Sequence, residues 1–217
     1  MNIQDSIIFF MEILGTIAFA ASGAMVGIRK RMDIFGICVL GVVTAVGGGM
    51  TRDVILGKLP SALEKPVYVV VSVITSLAIF VLLYIKHDLL SGRLGTFYDK
   101  AMLIMDSVGL GIFTSLGVMS GIDNGYPDNS FLLVFIGMLT GVGGGLLRDI
   151  MARQTPYILK KHVYACASIA GGICYSFLLS SPVNNDIAMI TSAALVIAIR
   201  LLATHYCWNL PRALKQS

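Results

Sequence analysis

The sequence predicts an all-α membrane protein with seven transmembrane helices, arranged as two inverted three-helix repeats followed by a seventh helix. Three observations predict it: a scarcity of charge, seven apolar runs of spanning length, and a motif that recurs at a fixed offset. Of 217 residues, 56% are hydrophobic and 13% charged, where an average soluble domain carries about 25% charged residues. The mean hydropathy is +0.84. Too few polar side chains remain to cover a water-facing surface, so a soluble enzyme is excluded. Seven spans of about 20 residues each leave only short loops, and residues 1–217 therefore read as a single transmembrane domain.

The runs cover residues 6–28, 34–56, 66–85, 101–121, 130–151, 162–179 and 187–204. The first contains Ala18-Phe19-Ala20, which mimics a signal-peptide cleavage site. It is read as a mature helix, because no Lys or Arg precedes residue 29, Glu12 interrupts the run, and the segment has an internal copy. The second carries three consecutive glycines and the third no charge from residue 67 to 85. The third is rich in β-branched residues, yet its length favours a helix. The fourth and fifth repeat features of the first and second, the sixth weakly repeats the third, and the seventh stands alone.

Lys and Arg are distributed unevenly between alternate connections. Arg29, Lys30, Arg31, Lys86, Arg93, Lys100, Arg153, Lys160, Lys161, Arg212 and Lys215 fall on one side, and only Lys58 and Lys65 on the other. The basic side is expected to be cytoplasmic, with the N-terminus outside and the C-terminus inside. The net charge of +4 is thus an orientation signal, and no nucleic-acid partner is expected. Cys38, Cys166, Cys174 and Cys207 form no CxxC and no metal spacing with His87, His162 and His205. The cysteines read as small apolar packing residues and the histidines as interfacial polar residues. No catalytic cluster and no metal site is expected.

The repeat is specific. Gly41-Val-Val-Thr44-Ala-Val-Gly47-Gly48-Gly49-Met-Thr-Arg52-Asp53, with Pro60 seven residues on, matches Gly137-Met-Leu-Thr140-Gly-Val-Gly143-Gly144-Gly145-Leu-Leu-Arg148-Asp149, with Pro156 seven residues on, at an offset of 96. Glu12, Phe19 and Gly23 match Asp106, Phe113 and Gly117 at an offset of 94, and Val67-Tyr68 matches Val163-Tyr164. Repeat one covers about residues 6–86 and repeat two about 100–180. A unit of three spans is odd, so the second copy crosses in the opposite sense, an architecture found in transport proteins.

Three glycines together weaken a helix by roughly 3 kcal/mol relative to alanines. The second and fifth spans are therefore expected to break there, into half-helices whose free carbonyls suit a cation and whose free N–H groups suit an anion. Broken backbone is tolerated at membrane depth only where it lines a polar path or is buried in protein. A packing role, as in the pairs Gly23/Gly27, Gly117/Gly121 and Gly137/Gly141, is the other reading.

Charges inside a bilayer need partners or water. Sequence neighbours on a helix do not face one another, so Arg52 and Arg148 are expected to find partners on other helices. Matching depths pair Glu12 with Arg52 and Asp106 with Arg148, one pair toward each mouth. Snorkelling to the interface is the alternative for the arginines, and the better reading for Arg200. Ser22, Thr44 and Thr140, with Thr16, Ser107 and Thr114, supply hydroxyls that would suit a partly dehydrated cation. The arginines and half-helix ends would suit the carboxylate of a small amino acid.

With its paired GGGxxRD segments, its three-plus-three-plus-one spans and its orientation, the chain resembles the prokaryotic trimeric intracellular cation (TRIC) channel family over about residues 6–206. Some bacterial relatives carry the name glycine transporter domain. The resemblance implies a homotrimer in the inner membrane and a pore through each protomer for monovalent cations, chiefly potassium, near the second and fifth spans. It implies no cofactor beyond the permeating potassium ion. Animal members carry a Lys-Glu-Val motif after the first glycine break. Met50-Thr51-Arg52-Asp53 stands there instead, so the lipid and voltage regulation of the animal channels is not carried over.

Overall fold

The structure, a computed structural model, describes residues 3–85, 93–160, 163–206 and 208. Lys86, Lys161, Arg212, Lys215, Cys207, His87 and His162, which carry expectations above, lie outside the described residues. Those described form the helices α1 (Ile3–Arg29), α2 (Ile34–Ile55), α3 (Ser61–Glu64), α4 (Val67–Ile85), α5 (Arg93–Asp123), α6 (Ser130–Met151), α7 (Tyr157–Lys160), α8 (Val163–Leu179) and α9 (Asn185–His205). Six are long and apolar enough to cross a membrane, and α8 is a shorter apolar helix of 17 residues. The seven predicted runs are thus all helical. α5 begins well before its apolar run because its first turns, with exposed Asp99 and Lys100, need no hydrocarbon around them. Large apolar side chains such as Phe131 (81% exposed) cover the outer surface of the bundle, as suits a solvent of lipid chains.

Helix starts follow the repeat. The Asp33 side chain accepts from the Gly36 N–H at 2.7 Å and so caps α2, and its counterpart Asn129 accepts from Leu132 at 3.0 Å and caps α6. Both helices end in the same turn, with a left-handed residue at Gly57 (φ +72°) in one copy and at Arg153 (φ +50°) in the other, again 96 residues apart. The four-residue helices α3 and α7 follow.

The expected break does not occur. α2 and α6 are α-helical at every residue of Gly47–Gly49 and Gly143–Gly145. Helix propensities are measured in water, which can solvate a freed peptide group. Hydrocarbon cannot, so the backbone keeps its own hydrogen bonds. The glycines act instead at a contact between the two helices. A Cβ at Gly48 would collide with the Thr140 carbonyl oxygen, and one at Gly144 with the Thr44 carbonyl oxygen. Because 44 meets 144 and 48 meets 140, rather than like meeting like, α2 and α6 run antiparallel where they touch.

α1 and α5 repeat the pattern. A Cβ at Gly109 would strike the Phe19 ring, and one at Gly15 would lie 3.2 Å from the Phe113 ring. Phe19 and Phe113, equivalent to each other, meet with ring centroids 5.2 Å apart. These reciprocal contacts are the signature of two inverted units about a pseudo-twofold axis. Within each unit the single glycines do pack helices. Gly23 faces Gly41 and Thr44, and Gly117 faces Gly137 and Thr140. The cysteines fit the packing reading less well: Cys166 is exposed and Cys38 and Cys174 are half-buried.

Candidate functional site: two polar clefts

Arg52 and Arg148 sit near the C-terminal ends of two antiparallel helices. Each lies six residues beyond the centre of the α2–α6 contact, about 9 Å along its helix in opposite directions at 1.5 Å per residue. Each stands beside a cleft. The first, about 420 Å³, is lined by Glu12 and Thr16 of α1, Gly49, Arg52 and Asp53 of α2, and Tyr68 of α4, with Phe113 and Leu116 of α5 also in its wall. The second, about 590 Å³, is lined by Asp106, Arg148, Tyr157 and Arg200, with Arg29 and Asp99 also in its wall.

The Arg-Asp motif does the same local work in both repeats. The Asp53 carboxylate accepts from Arg52 Nε at 2.7 Å and, through its other oxygen, from the Ser61 backbone N–H at 2.8 Å and hydroxyl at 2.9 Å. Asp149 accepts from Arg148 Nε at 2.9 Å, from the Gln154 amide at 2.8 Å and from the Tyr157 backbone N–H at 2.8 Å. Each aspartate therefore ties the end of a spanning helix to the start of the short helix after it. The proline seven residues on falls at that start.

The inner shells of the two arginines differ. Arg148 is 1% exposed and donates to Asp106 at 2.5 Å and to Ser22 at 2.6 Å. The Asp106–Arg148 pair expected from depth is therefore present. The Glu12–Arg52 ion pair is not. Glu12 accepts instead from the Tyr68 hydroxyl, and among the described residues Arg52 pairs with Asp53 alone. Depth is shared, since both line one cleft, but depth does not specify which side of the helix a carboxylate faces. The pairing of sequence neighbours also overturns the expectation that they cannot meet. The i,i+1 rule describes where Cβ atoms point, and the long arginine stem folds its guanidinium around the turn to an aspartate held at the helix end.

Arg200 does not snorkel. It is 3% exposed, stands 4.6 Å over the Tyr164 ring, and reaches Asp106 at 4.0 Å. Thr44 and Thr140 line neither cleft. They are buried against Gly23 and Gly117 and donate to the Leu40 and Ile136 carbonyls at 2.6 and 2.7 Å. Gly47, Gly48 and Gly143–Gly145 lie outside both linings as well, and only Gly49 reaches a cleft. Tyr68, Tyr164, Tyr157 and Arg200 belong to the clefts or their supports, and none was singled out from sequence for that role. The repeated Val-Tyr pair was the available signal for the first two.

Comparison with known proteins bears on the family and the fold. The glycine transporter family matches residues 9–84 and 103–180. A UPF0126 membrane protein of Vibrio cholerae is 32% identical over 209 residues, covering 96% of this chain and 84% of that protein. The UPF0126 inner membrane protein YadS of Escherichia coli K12 is 37% identical over 210 residues, covering 94% and 95%. Among solved structures, a TRIC cation channel studied for conductance is 34% identical, with a TM-score of 0.82 over 96% of this chain and 98% of that one. The TRIC trimeric intracellular cation channel orthologue from Rhodobacter sphaeroides is 27% identical, with a TM-score of 0.83 over 94% and 100%.

Proposed function

The chain belongs to the glycine transporter family, the family of the prokaryotic TRIC channels, and on that premise we propose that it is a cation channel of the inner membrane that passes potassium through each protomer. The path joins the cleft at Glu12 and Arg52 to the cleft at Asp106 and Arg148, passing beside the α2–α6 contact. One observation carries this reading: two clefts, each lined by a carboxylate and an arginine, lie on opposite sides of a contact made of glycines and one phenylalanine pair. Carboxylate oxygens of Glu12, Asp53 and Asp106 can replace part of the hydration shell of a monovalent cation. The Phe19–Phe113 pair is an apolar constriction of the kind that closes a pore by excluding water. The antiparallel α2 and α6 put equivalent residues at the two mouths, which suits passage rather than one-sided binding.

The solved relatives are described as trimeric channels, and we extend the trimer to this chain. We also retain the orientation with the N-terminus outside and the C-terminus in the cytoplasm. Proteoliposomes loaded with potassium test the reading. Passive potassium efflux that does not saturate, and that rises in Phe113→Ala, is the expected result. Saturable uptake of glycine with no potassium efflux would replace the channel with a carrier.

A further inference from the structure

Each repeat gathers a carboxylate, a tyrosine and an arginine, and the two repeats pair them differently. In repeat one the carboxylate of Glu12 takes the Tyr68 hydroxyl, and Arg52 turns to Asp53. In repeat two the carboxylate of Asp106 takes Arg148 at 2.5 Å. Tyr164, the counterpart of Tyr68, is 1% exposed, and its hydroxyl has no hydrogen-bond partner among the described residues. A buried hydroxyl without a partner is rare and costly. Arg200 stands 4.6 Å over the Tyr164 ring and reaches Asp106 at 4.0 Å, so one guanidinium holds the tyrosine and the carboxylate in the same cluster. Its oxygen is 2.8 Å from where a Cβ of Gly145 would stand, so the glycine leaves it room.

Tyr164 is a gating residue, we propose: Asp106 exchanges Arg148 for the Tyr164 hydroxyl as the second cleft opens, and repeat two then adopts the arrangement that repeat one already holds. The proposal rests on the channel reading. Arg148 is not stranded by the exchange, because it keeps Asp149 at 2.9 Å and Ser22 at 2.6 Å. What it loses is its ion pair with Asp106, a link between α5 and α6 at the cleft. Side-chain length sets the bias. Glu12 has one methylene more than Asp106 and sits on its tyrosine, while the shorter Asp106 sits on its arginine.

Single-channel recording of the full chain in planar bilayers tests this. Tyr164→Phe removes the competing partner, and open probability should fall on the order of tenfold, equivalent to about 1.4 kcal/mol. Asp106→Glu should raise open probability, and adding Tyr164→Phe should cancel that gain. A merely structural tyrosine would change the yield of folded protein and leave open probability alone, and that result would overturn the proposal. A second readout does not depend on conduction. With 3-fluorotyrosine at position 164 in nanodiscs, Asp106→Glu should move the fluorine resonance toward that of the same label at position 68, and an unmoved resonance would overturn the exchange. If the wild-type protein passes no current, the channel reading fails and the resonance alone decides the exchange.

Discussion

Arg52 and Arg148 occupy equivalent positions and carry different burdens. Arg148 is the hub of a buried network with Asp106, Asp149 and Ser22, while Arg52, with 12% of its side chain exposed, answers among the described residues to Asp53 alone. Removing one partner from a buried charge network leaves the others uncompensated, at a cost of about 3–5 kcal/mol. Arg148→Ala should therefore lower the melting temperature of the detergent-solubilised protein sharply. Arg52→Ala should cost less, roughly 1.5–3 kcal/mol, because Asp53 keeps Ser61 and has Lys58 at 3.6 Å. Fluorescence-detected size-exclusion thermal melts would check the order, and equal shifts would contradict it. At this scale the sequence is a partial guide. Matching depth finds Asp106–Arg148, but it cannot distinguish Tyr68 from Arg52 as the partner of Glu12, because azimuth around a helix depends on packing. Nor does distance from a helix end reveal that Arg200 is roofed by its own bundle, stacked on Tyr164.

At the scale of the helix, the three glycines of one motif are not equivalent. A Cβ at Gly48 would collide with the backbone of α6, whereas one at Gly49 would meet only the Arg52 guanidinium at 3.8 Å. Gly48→Ala and Gly144→Ala should each push the central helices apart, at about 1–3 kcal/mol. Gly49→Ala should be tolerated and should gain up to about 1 kcal/mol of helix propensity. Thermal melts of the three variants test this, and a destabilised Gly49→Ala would contradict it. The turn after α6 offers a converse case. Arg153 holds the left-handed conformation that Gly57 supplies in the first copy, so Arg153→Gly should stabilise, by about 1 kcal/mol. The helices themselves are legible from apolar length. The continuity of α2 and α6 is not, because propensity measured in water misjudges glycine in a setting where the backbone has no other partner.

Over the whole molecule, inversion is the feature that sequence conveys best. A motif repeated at one offset across an odd number of spans requires it, and the crossed contacts 44–144 and 48–140 realise it. The two mouths of the proposed path then follow from symmetry, with different partners for the carboxylate: a tyrosine at one and an arginine at the other. Orientation is a separate matter, testable by fusing green fluorescent protein or alkaline phosphatase to the C-terminus. Fluorescence without phosphatase activity is expected, and the reverse would invert the assignment of basic loops to the cytoplasm. The central claim is that the protein conducts cations, and the reversal potential of the purified protein in a planar bilayer under a potassium chloride gradient tests it most directly. A reversal potential close to the potassium equilibrium potential is predicted, and one at zero or on the chloride side would contradict the account.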